Sequence, residues 1–286
     1  MKVVFASCKS DTVAGMELTL LGTAGGPGGH AHRAGISSLV TQADRRYLVD
    51  AGDAVSFQLA RAGHDLRDLD AIFLTHLHDD HTAGLAGLRS FRHTMRGAPL
   101  EVIGPPGTSE LIAAMIESFA INHRIRTSEM TRPGPAELIA ARDAGPGEIY
   151  RDAQLTVTAV ENTHYVRGAG GGPDRSYALR FDGSDRSIVF TGDTGESDAV
   201  ARLAVDADVL VSEMVTAADL DRVPPPVRAH MVHEHLTAAQ VGRLAATAGV
   251  GMLVLSHYTE ATEADLAAIA ADYSGVVVPG ADLMVI

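Results

Sequence analysis

Three histidines and two aspartates occupy six consecutive positions of the stretch "FLTHLHDDHTAGL". Imidazole and carboxylate groups suit zinc, and manganese or iron can take its place. His76 and His78 can project together into one site, whereas Asp80 and His81 can serve a neighbouring ion. The alternative is a polar loop, but a buried unpaired aspartate costs several kcal/mol unless a cation neutralises it. The pattern therefore predicts a metal centre, with Asp79 directed away from it.

A strand and a helix must hold these ligands in place. The apolar run "AIFL" predicts a strand that ends at Thr75, and the spacing of Leu85, Leu88 and Phe91 predicts a helix after the cluster. Upstream, "ELTLLG", "ISSLVT" and "RYLVD" predict an antiparallel meander, and further along the chain strands alternate with helices. This order indicates sheet packed on sheet with helices outside.

We predict one domain over residues 16–286, because no Pro/Ser-rich linker divides the chain. The first convincing strand begins at Met16 or Glu17, so residues 1–15 are interpreted as an N-terminal extension. Residues 105–150 contain the breakers "TRPGPAEL" and "DAGPGE" and are expected to form a cap or insertion.

The composition is that of an ordinary globular protein, with 46% hydrophobic and 21% charged residues. A net charge of -13 counts against a non-specific nucleic-acid binder, since phosphate binding needs a basic surface, although it leaves room for a local basic patch. No run approaches the roughly 18 apolar residues of a membrane helix, so no membrane partner is expected. Cys8 is the only cysteine, which excludes an internal disulfide and favours a reducing cytoplasm.

The H-x-H-x-D-H pattern resembles the signature of the metallo-β-lactamase superfamily, and the resemblance covers nearly all of the chain from Glu17 onward. It implies an α/β fold, the four-layer αββα sandwich of that superfamily. Further matches are His164 in "ENTHY", Asp193 in "FTGDTG" and His257 in "LVLSHY". Asp50, in "YLVDAGD", would support the metal histidines from behind.

The resemblance implies two divalent ions, with zinc expected and manganese or iron as substitutes. Their seven ligands would be His76, His78 and His164 for the first ion, Asp80, His81 and His257 for the second, and Asp193 as the bridge.

Two more stretches are similar to the ribonuclease Z and arylsulfatase-like branch of the superfamily. They are the glycine loop "LGTAGGPGGHAHRAGISSLV" and the pair "ADVLVSEM" and "HEHLTAAQVGRLAATAGVGMLVLSHY". The resemblance implies that His235 is a general acid oriented by Glu213, and that these two residues and Asp80 are the catalytic side chains. The glycine loop lacks the G-x-x-x-x-G-K-[ST] arrangement, which excludes a nucleotide P-loop.

Four side chains near these motifs are candidate substrate contacts: His30, His32, Arg33 and Tyr165. Three histidines outside the motifs are expected in surface or loop positions: His123, His230 and His233.

The residue types at two of the ligand positions favour a hydrolytic reaction. The slot of His78 holds glutamate in the flavodiiron redox enzymes, so histidine favours hydrolysis over electron transfer. Asp193 occupies the slot that is cysteine in many true β-lactamases, which disfavours antibiotic cleavage. We therefore expect a hydrolase in which a metal-bridging hydroxide attacks an ester.

The expected substrate is a small phosphodiester or sulfate ester. In the bacterial-type ribonuclease Z branch an arm that grips tRNA lies between the third histidine and the bridging aspartate, but here only "YVRGAGGGPDRSYALRFDGSDRSIVFTG" fills that gap. The short gap and the acidic charge make nucleic acid an improbable partner. The alternatives are a carboxylic ester or lactone hydrolase, a tRNA 3'-processing endonuclease, and a non-catalytic metal-binding module. Dimers are common in this branch, so a homodimer is compatible with it.

Overall fold

Two seven-stranded mixed sheets form the centre of the protein. The computed structural model describes residues 15–28, 30–131, 134, 137, 139–165 and 172–286. The predicted extension, residues 1–15, lies outside these ranges except for Gly15, so the proposed division of the chain stays a prediction.

The first sheet has the strand order β14-β1-β2-β3-β4-β5-β6. Its strands are β1 (Met16–Gly22), β2 (Ser37–Gln42), β3 (Arg45–Val49), β4 (Ala71–Phe73), β5 (Leu100–Gly104), β6 (Ile139–Asp143) and β14 (Met284–Val285). The first three pair antiparallel, as the predicted meander requires. From β3 to β6 the strands are parallel, so their carboxyl ends lie at one edge of the sheet.

The second sheet has the order β13-β12-β11-β10-β9-β8-β7. Its strands are β7 (Gly147–Arg151), β8 (Thr156–Glu161), β9 (Tyr177–Asp182), β10 (Ser187–Phe190), β11 (Val209–Ser212), β12 (Met252–Leu255) and β13 (Val276–Pro279). It repeats the plan of the first sheet, since antiparallel strands β7 to β10 are followed by parallel strands β10 to β13.

Helices cover the outer faces of both sheets. The helices of the described residues are α1 (Val55–Arg61), α2 (Asp79–Thr82), α3 (Leu85–Thr94), α4 (Thr108–Ser118), α5 (Ala120–Glu129), α6 (Asp198–Leu203), α7 (Ala217–Arg222), α8 (Pro225–Glu234), α9 (Ala238–Ala248) and α10 (Glu263–Ala270), with a 3-10 turn at Leu66–Asp68. None of the helices in the described part of the chain is long and apolar enough to cross a membrane.

Alternating side chains divide the apolar residues into three layers. In β4, Phe73 points between the sheets while Ile72 points outward, as the two-residue period of a strand requires. The inner layer joins both sheets, and the two outer layers pack α1, α3 and α4 on the first sheet and α6, α9 and α10 on the second. The predicted four-layer αββα sandwich is confirmed.

Residues 105–150 contribute to both sheets. Within them α4 and α5 form consecutive helices, β6 is the edge strand of the first sheet, and β7 is the edge strand of the second. The segment is therefore partly integral to the sandwich, because it supplies strands as well as helices. Its predicted role as a cap stays a prediction.

We expect Phe73→Ala to lower the free energy of unfolding by about 3–5 kcal/mol, because truncation leaves a cavity in the inner layer. Phe73 is fully buried, with edge-on contacts to Tyr150 and Phe181 at 5.3 Å between ring centroids. Urea unfolding measures the change. The matched control is Phe91→Ala, at a ring that is 54% exposed, with an effect within about 0.5 kcal/mol. Equal losses in the two variants would contradict this packing.

Candidate metal centre

The predicted ligands follow the carboxyl ends of strands in both sheets. His76 follows β4, His164 follows β8, Asp193 follows β10 and His257 follows β12. Because β4 belongs to the first sheet and the other three strands to the second, the cluster lies where the two sheets meet.

Three imidazoles form the first ligand cluster. The His78 Nδ1 atom lies 3.2 Å from His76 Nε2 and 3.1 Å from His164 Nε2. Nitrogens bound tetrahedrally to one zinc ion at its usual bond length are about 3.3 Å apart. The spacing of these three side chains is therefore that of a set able to bind one ion.

The second cluster combines two imidazoles and two carboxylates. Asp80 Oδ2 lies 3.2 Å from His257 Nε2 and 3.8 Å from His81 Nε2. Asp193 Oδ1 lies 3.4 Å from His81 Nε2, and its Oδ2 lies 3.4 Å from His257 Nε2. These four side chains are also able to bind an ion.

Asp193 faces both clusters. In addition to its contacts in the second cluster, its Oδ2 atom lies 4.0 Å from His76 Nε2 and 3.9 Å from His164 Nε2. This is the placement expected of a ligand shared between two ions. Its bridging role, the number of ions and the identity of the metal stay predictions.

Two buried polar atoms of the site show whether a cation fits there. Asp193 Oδ1 and His81 Nε2 are both buried, and neither has a hydrogen-bond partner. A buried polar atom without a partner loses its hydration without compensation, at a cost of about 1–3 kcal/mol. A divalent cation would satisfy both atoms, so the side chains present fit a metal ion.

The pKa values of the histidines are consistent with this fit. Burial lowers the pKa of His164 to about 4 and that of His76 well below its usual value, so both rings are neutral, as metal ligation requires. Burial also disfavours the charged form of His81, but Asp193 and Asp50 outweigh it and raise its pKa. The position between those two carboxylates therefore attracts positive charge.

Hydrogen bonds direct the Nε2 atoms of three histidines into the centre. His81 Nδ1 donates to Asp50 Oδ2 over 2.9 Å, and His164 Nδ1 donates to the Glu234 carbonyl over 3.2 Å. His76 Nδ1 donates to Thr75 Oγ1 over 3.0 Å. Each partner is an acceptor, which assigns the proton to Nδ1 and leaves the Nε2 lone pair for a metal.

Thr75 is a further residue of the candidate site that the sequence analysis missed. Its Oγ1 atom donates to Asp50 Oδ2 over 2.9 Å, and its backbone N–H donates to Asp50 Oδ1 over 2.8 Å. The hydroxyl thus connects His76 to the carboxylate that also holds His81. Its position directly before His76 was the one feature of the sequence that could have indicated a place in the site. Asp50 has a φ of 56°, a left-handed conformation that aspartate tolerates better than most residues.

His235 and Glu213 form a hydrogen-bonded pair next to the second cluster. Glu213 Oε2 accepts from His235 Nδ1 over 2.9 Å, while Oε1 accepts from the backbone N–H groups of Thr194 and Leu236. Because both oxygens are engaged, the pair is better suited to orienting an acid than to holding another ion. Burial lowers the pKa of His235, but Glu213 and Asp193 outweigh it and raise that pKa to about 10.

The glycine loop lies over the second cluster. The Gly26 N–H lies 3.3 Å from His257 Nε2, and a Cβ at Gly25 would lie 2.9 Å from the His257 backbone. Glycine is therefore required at Gly25 by close approach. His257 itself has a φ of 50°.

The predicted substrate contacts occupy different environments. Tyr165 packs against the first cluster, with its ring centroid 5.2 Å from that of His78. His30 lines a cavity of about 500 Å³ that also contacts Asp79 and Asp80, and its Nε2 lies 3.1 Å from the Gly25 carbonyl oxygen.

Of the other two predicted positions, Arg33 lines the same cavity as His30 and Asp80. His32 is exposed. The Arg33 guanidinium donates to Thr23 Oγ1 and the Gly280 carbonyl, and stacks 4.2 Å from the Tyr258 ring centroid. Arg33 thus braces the loop, and a substrate contact by either residue stays a prediction.

Comparison with protein families matches residues 45–258 to the description "Beta-lactamase superfamily domain". The chain belongs to this superfamily. A ribonuclease Z of Mycobacterium sp. (strain KMS) is 36% identical over 250 residues, which cover 85% of this chain and 84% of that protein. A ribonuclease Z of Mycobacterium bovis (strain BCG / Pasteur 1173P2) is 33% identical over 94% of this chain and 96% of that protein.

Solved structures of superfamily members show the same fold. The metallo-β-lactamase fold protein YhfI of Bacillus subtilis is 24% identical, with a TM-score of 0.72 over 95% of this chain and 98% of that chain. The human tRNase Z, short form, is 21% identical, with a TM-score of 0.71 over 94% and 98% of the two chains. The predicted superfamily and its ribonuclease Z-like branch are confirmed, and the chain is a metallo-β-lactamase-fold hydrolase acting on ester bonds.

The prediction that nucleic acid is an improbable partner is wrong. Relatives that are similar to this chain over most of their length are named ribonuclease Z. The net charge of -13 led to the wrong prediction because it is a sum over the whole chain. A scissile phosphate meets only the local electrostatic field of the site. The short segment between His164 and Asp193 also led to the wrong prediction, because a chain without an arm at this position can still act on RNA.

We expect Thr75→Val to weaken metal binding by about 10- to 100-fold, because it removes the hydroxyl that orients His76 and Asp50. Competition with a chromogenic chelator measures the change. Thr108→Val is the matched control, since it removes a buried threonine bond to the Pro105 carbonyl outside the centre. Unchanged affinity in Thr75→Val would contradict the orienting role.

Proposed function

We propose that this protein is a metal-dependent phosphodiesterase that processes the 3' ends of precursor tRNA. The observation that carries the proposal is the contact of both ligand clusters with Asp193, next to the His235–Glu213 pair. The ribonuclease Z relatives, similar over most of their length, support RNA over the small ester that the sequence analysis favoured.

Seven side chains of this chain would hold two divalent ions: His76, His78, His164, Asp80, His81, His257 and Asp193. Such ions, when bound, supply a hydroxide nucleophile near neutral pH and neutralise the phosphoryl oxygens. Zinc remains the expected metal because imidazole and carboxylate dominate the set.

His235 would protonate the leaving oxygen. Its Nδ1 atom is engaged by Glu213, so the opposite ring nitrogen, Nε2, is the one that can act on substrate. The raised pKa of about 10 keeps the ring protonated at neutral pH. Glu213 is fixed by two backbone N–H donors and therefore holds the acid in one orientation.

A cavity on the acid's side would accept the leaving nucleoside. It has a volume of about 280 Å³, and its lining includes His235, the apolar side chains of Val215, Val223 and Met231, the Tyr258 ring, and the charged residues Asp219 and Arg222. An apolar and aromatic lining can pack against a base without reading its identity. This placement suits an enzyme that must accept many tRNA sequences.

The cellular compartment stays a prediction. The single cysteine, Cys8, agrees with the reducing cytoplasm expected from the sequence.

The first test is cleavage of precursor tRNA. We expect purified protein to release the 3' trailer as one fragment on a denaturing gel, and Asp193→Ala or chelation to remove nearly all of this activity. A panel of bis(nitrophenyl) phosphate, nitrophenyl sulfate and nitrophenyl acetate is run in parallel. Intact precursor tRNA alongside rapid hydrolysis of a small ester would overturn the tRNA assignment and leave the hydrolase.

The second test concerns the acid. We expect His235→Ala to slow cleavage of an alkyl diester by about 10²–10⁴-fold, because the alkoxide needs a proton, and to slow a nitrophenyl diester far less. The control is His233→Ala, an exposed histidine of α8, which should leave both rates unchanged. Equal losses on the two substrates would remove His235 from the role of acid.

A further inference from the structure

Two arginines of α3 are fully buried, and their environments differ sharply. The Arg92 guanidinium donates to the carbonyl oxygens of Leu66, Leu69 and Ala98. Burial lowers the pKa of Arg92, and three aspartates of the neighbouring loop oppose that effect. Arg92 is therefore compensated within the fold.

Arg89, one turn earlier on the same helix, lacks such compensation. Its Nη2 atom donates to the Met115 carbonyl over 3.3 Å, and its guanidinium carbon lies 5.9 Å from the Phe119 ring centroid. Its Nε and Nη1 atoms are buried without a partner. A charged group with two unmet donors in an apolar interior costs far more than an exposed one.

No carboxylate in the described part of the chain opposes this charge. Burial is the only cause that shifts the pKa of Arg89, and it lowers it. In the sequence outside the described ranges, Asp11 is the only acidic residue. The compensating charge for Arg89 is therefore not evident among the described residues.

His123 joins the same cluster, contrary to its predicted surface position. It lies on α5, is buried, and contacts His93 at 4.6 Å between ring centroids. His93 is four residues from Arg89 and thus on the same face of α3. The His123 Nε2 atom has no hydrogen-bond partner. Burial, the charge of Arg89 and His93 lower the pKa of His123 to about 4, so its ring is neutral and can donate one N–H.

We propose that Arg89 and His123 bind a small inorganic anion, expected to be chloride, between α3 and α5. The atoms without partners are two guanidinium nitrogens and one imidazole nitrogen, and as N–H donors all three suit an anion. The same guanidinium excludes a metal cation. Full burial of both side chains favours a monatomic ion over a large organic acid. The site lies outside the metal centre and is independent of the proposed function.

The test is thermal unfolding of the whole protein while sodium chloride replaces sodium gluconate at constant ionic strength. We expect Tm to rise by about 5 °C once chloride exceeds its Kd about a hundredfold. In Arg89→Met the rise should disappear, and in gluconate this variant should be at least as stable as the native protein. Arg126→Met, at an arginine of α5 whose side chain is 43% exposed, should keep the full rise.

Nitrate and sulfate series distinguish a monatomic ion from small oxyanions. A Tm that rises equally in Arg89→Met and the native protein would overturn the proposal, as would an Arg89→Met variant that is less stable in both salts. If Arg89→Met does not fold, crystals of the native protein soaked in sodium bromide decide the question. An anomalous peak beside Arg89 and His123 is expected, and its absence at saturating bromide would reject the site.

Discussion

A buried carboxylate surrounded by imidazoles is the constraint on which the rest of the structure depends. Asp193 is 3% exposed, and five histidines approach its two oxygens within 4.0 Å. Such a charge is tolerated only where positive charge is guaranteed nearby. The strand ends that converge there, the Asp50–Thr75 connection and the glycine loop all maintain that arrangement against the cost of burying it.

Much of the fold and the centre could be predicted because the relevant signals are local. The two-residue period around Phe73 fixes which face of β4 is internal, and the strand ends at the first ligands. His164, Asp193 and His257 are far apart in sequence, yet each follows a β-rich run, and parallel strands bring such positions to one edge. The position of a residue at the end of a predicted strand therefore indicated where it lies in the fold.

The errors came from properties that only packing decides. His123 was expected in a surface or loop position, but it is buried against His93 of α3, which is a separate element. Thr75 gives no signal by residue type, since its role depends on Asp50 lying opposite. Net charge failed for a related reason: it is an average over the surface, whereas substrate binding depends on the field at one point.

The division of the ligands between the sheets has a consequence for how the protein is assembled. The first half of the chain contributes His76, His78, Asp80 and His81, and the second half contributes His164, Asp193 and His257. Neither half alone contains all the side chains of the first cluster or all those of the second. If these side chains hold the metal ions, turnover requires the two halves to be docked together. An insertion, fragment boundary or permutation that separates the sheets is then expected to abolish turnover while leaving each motif intact.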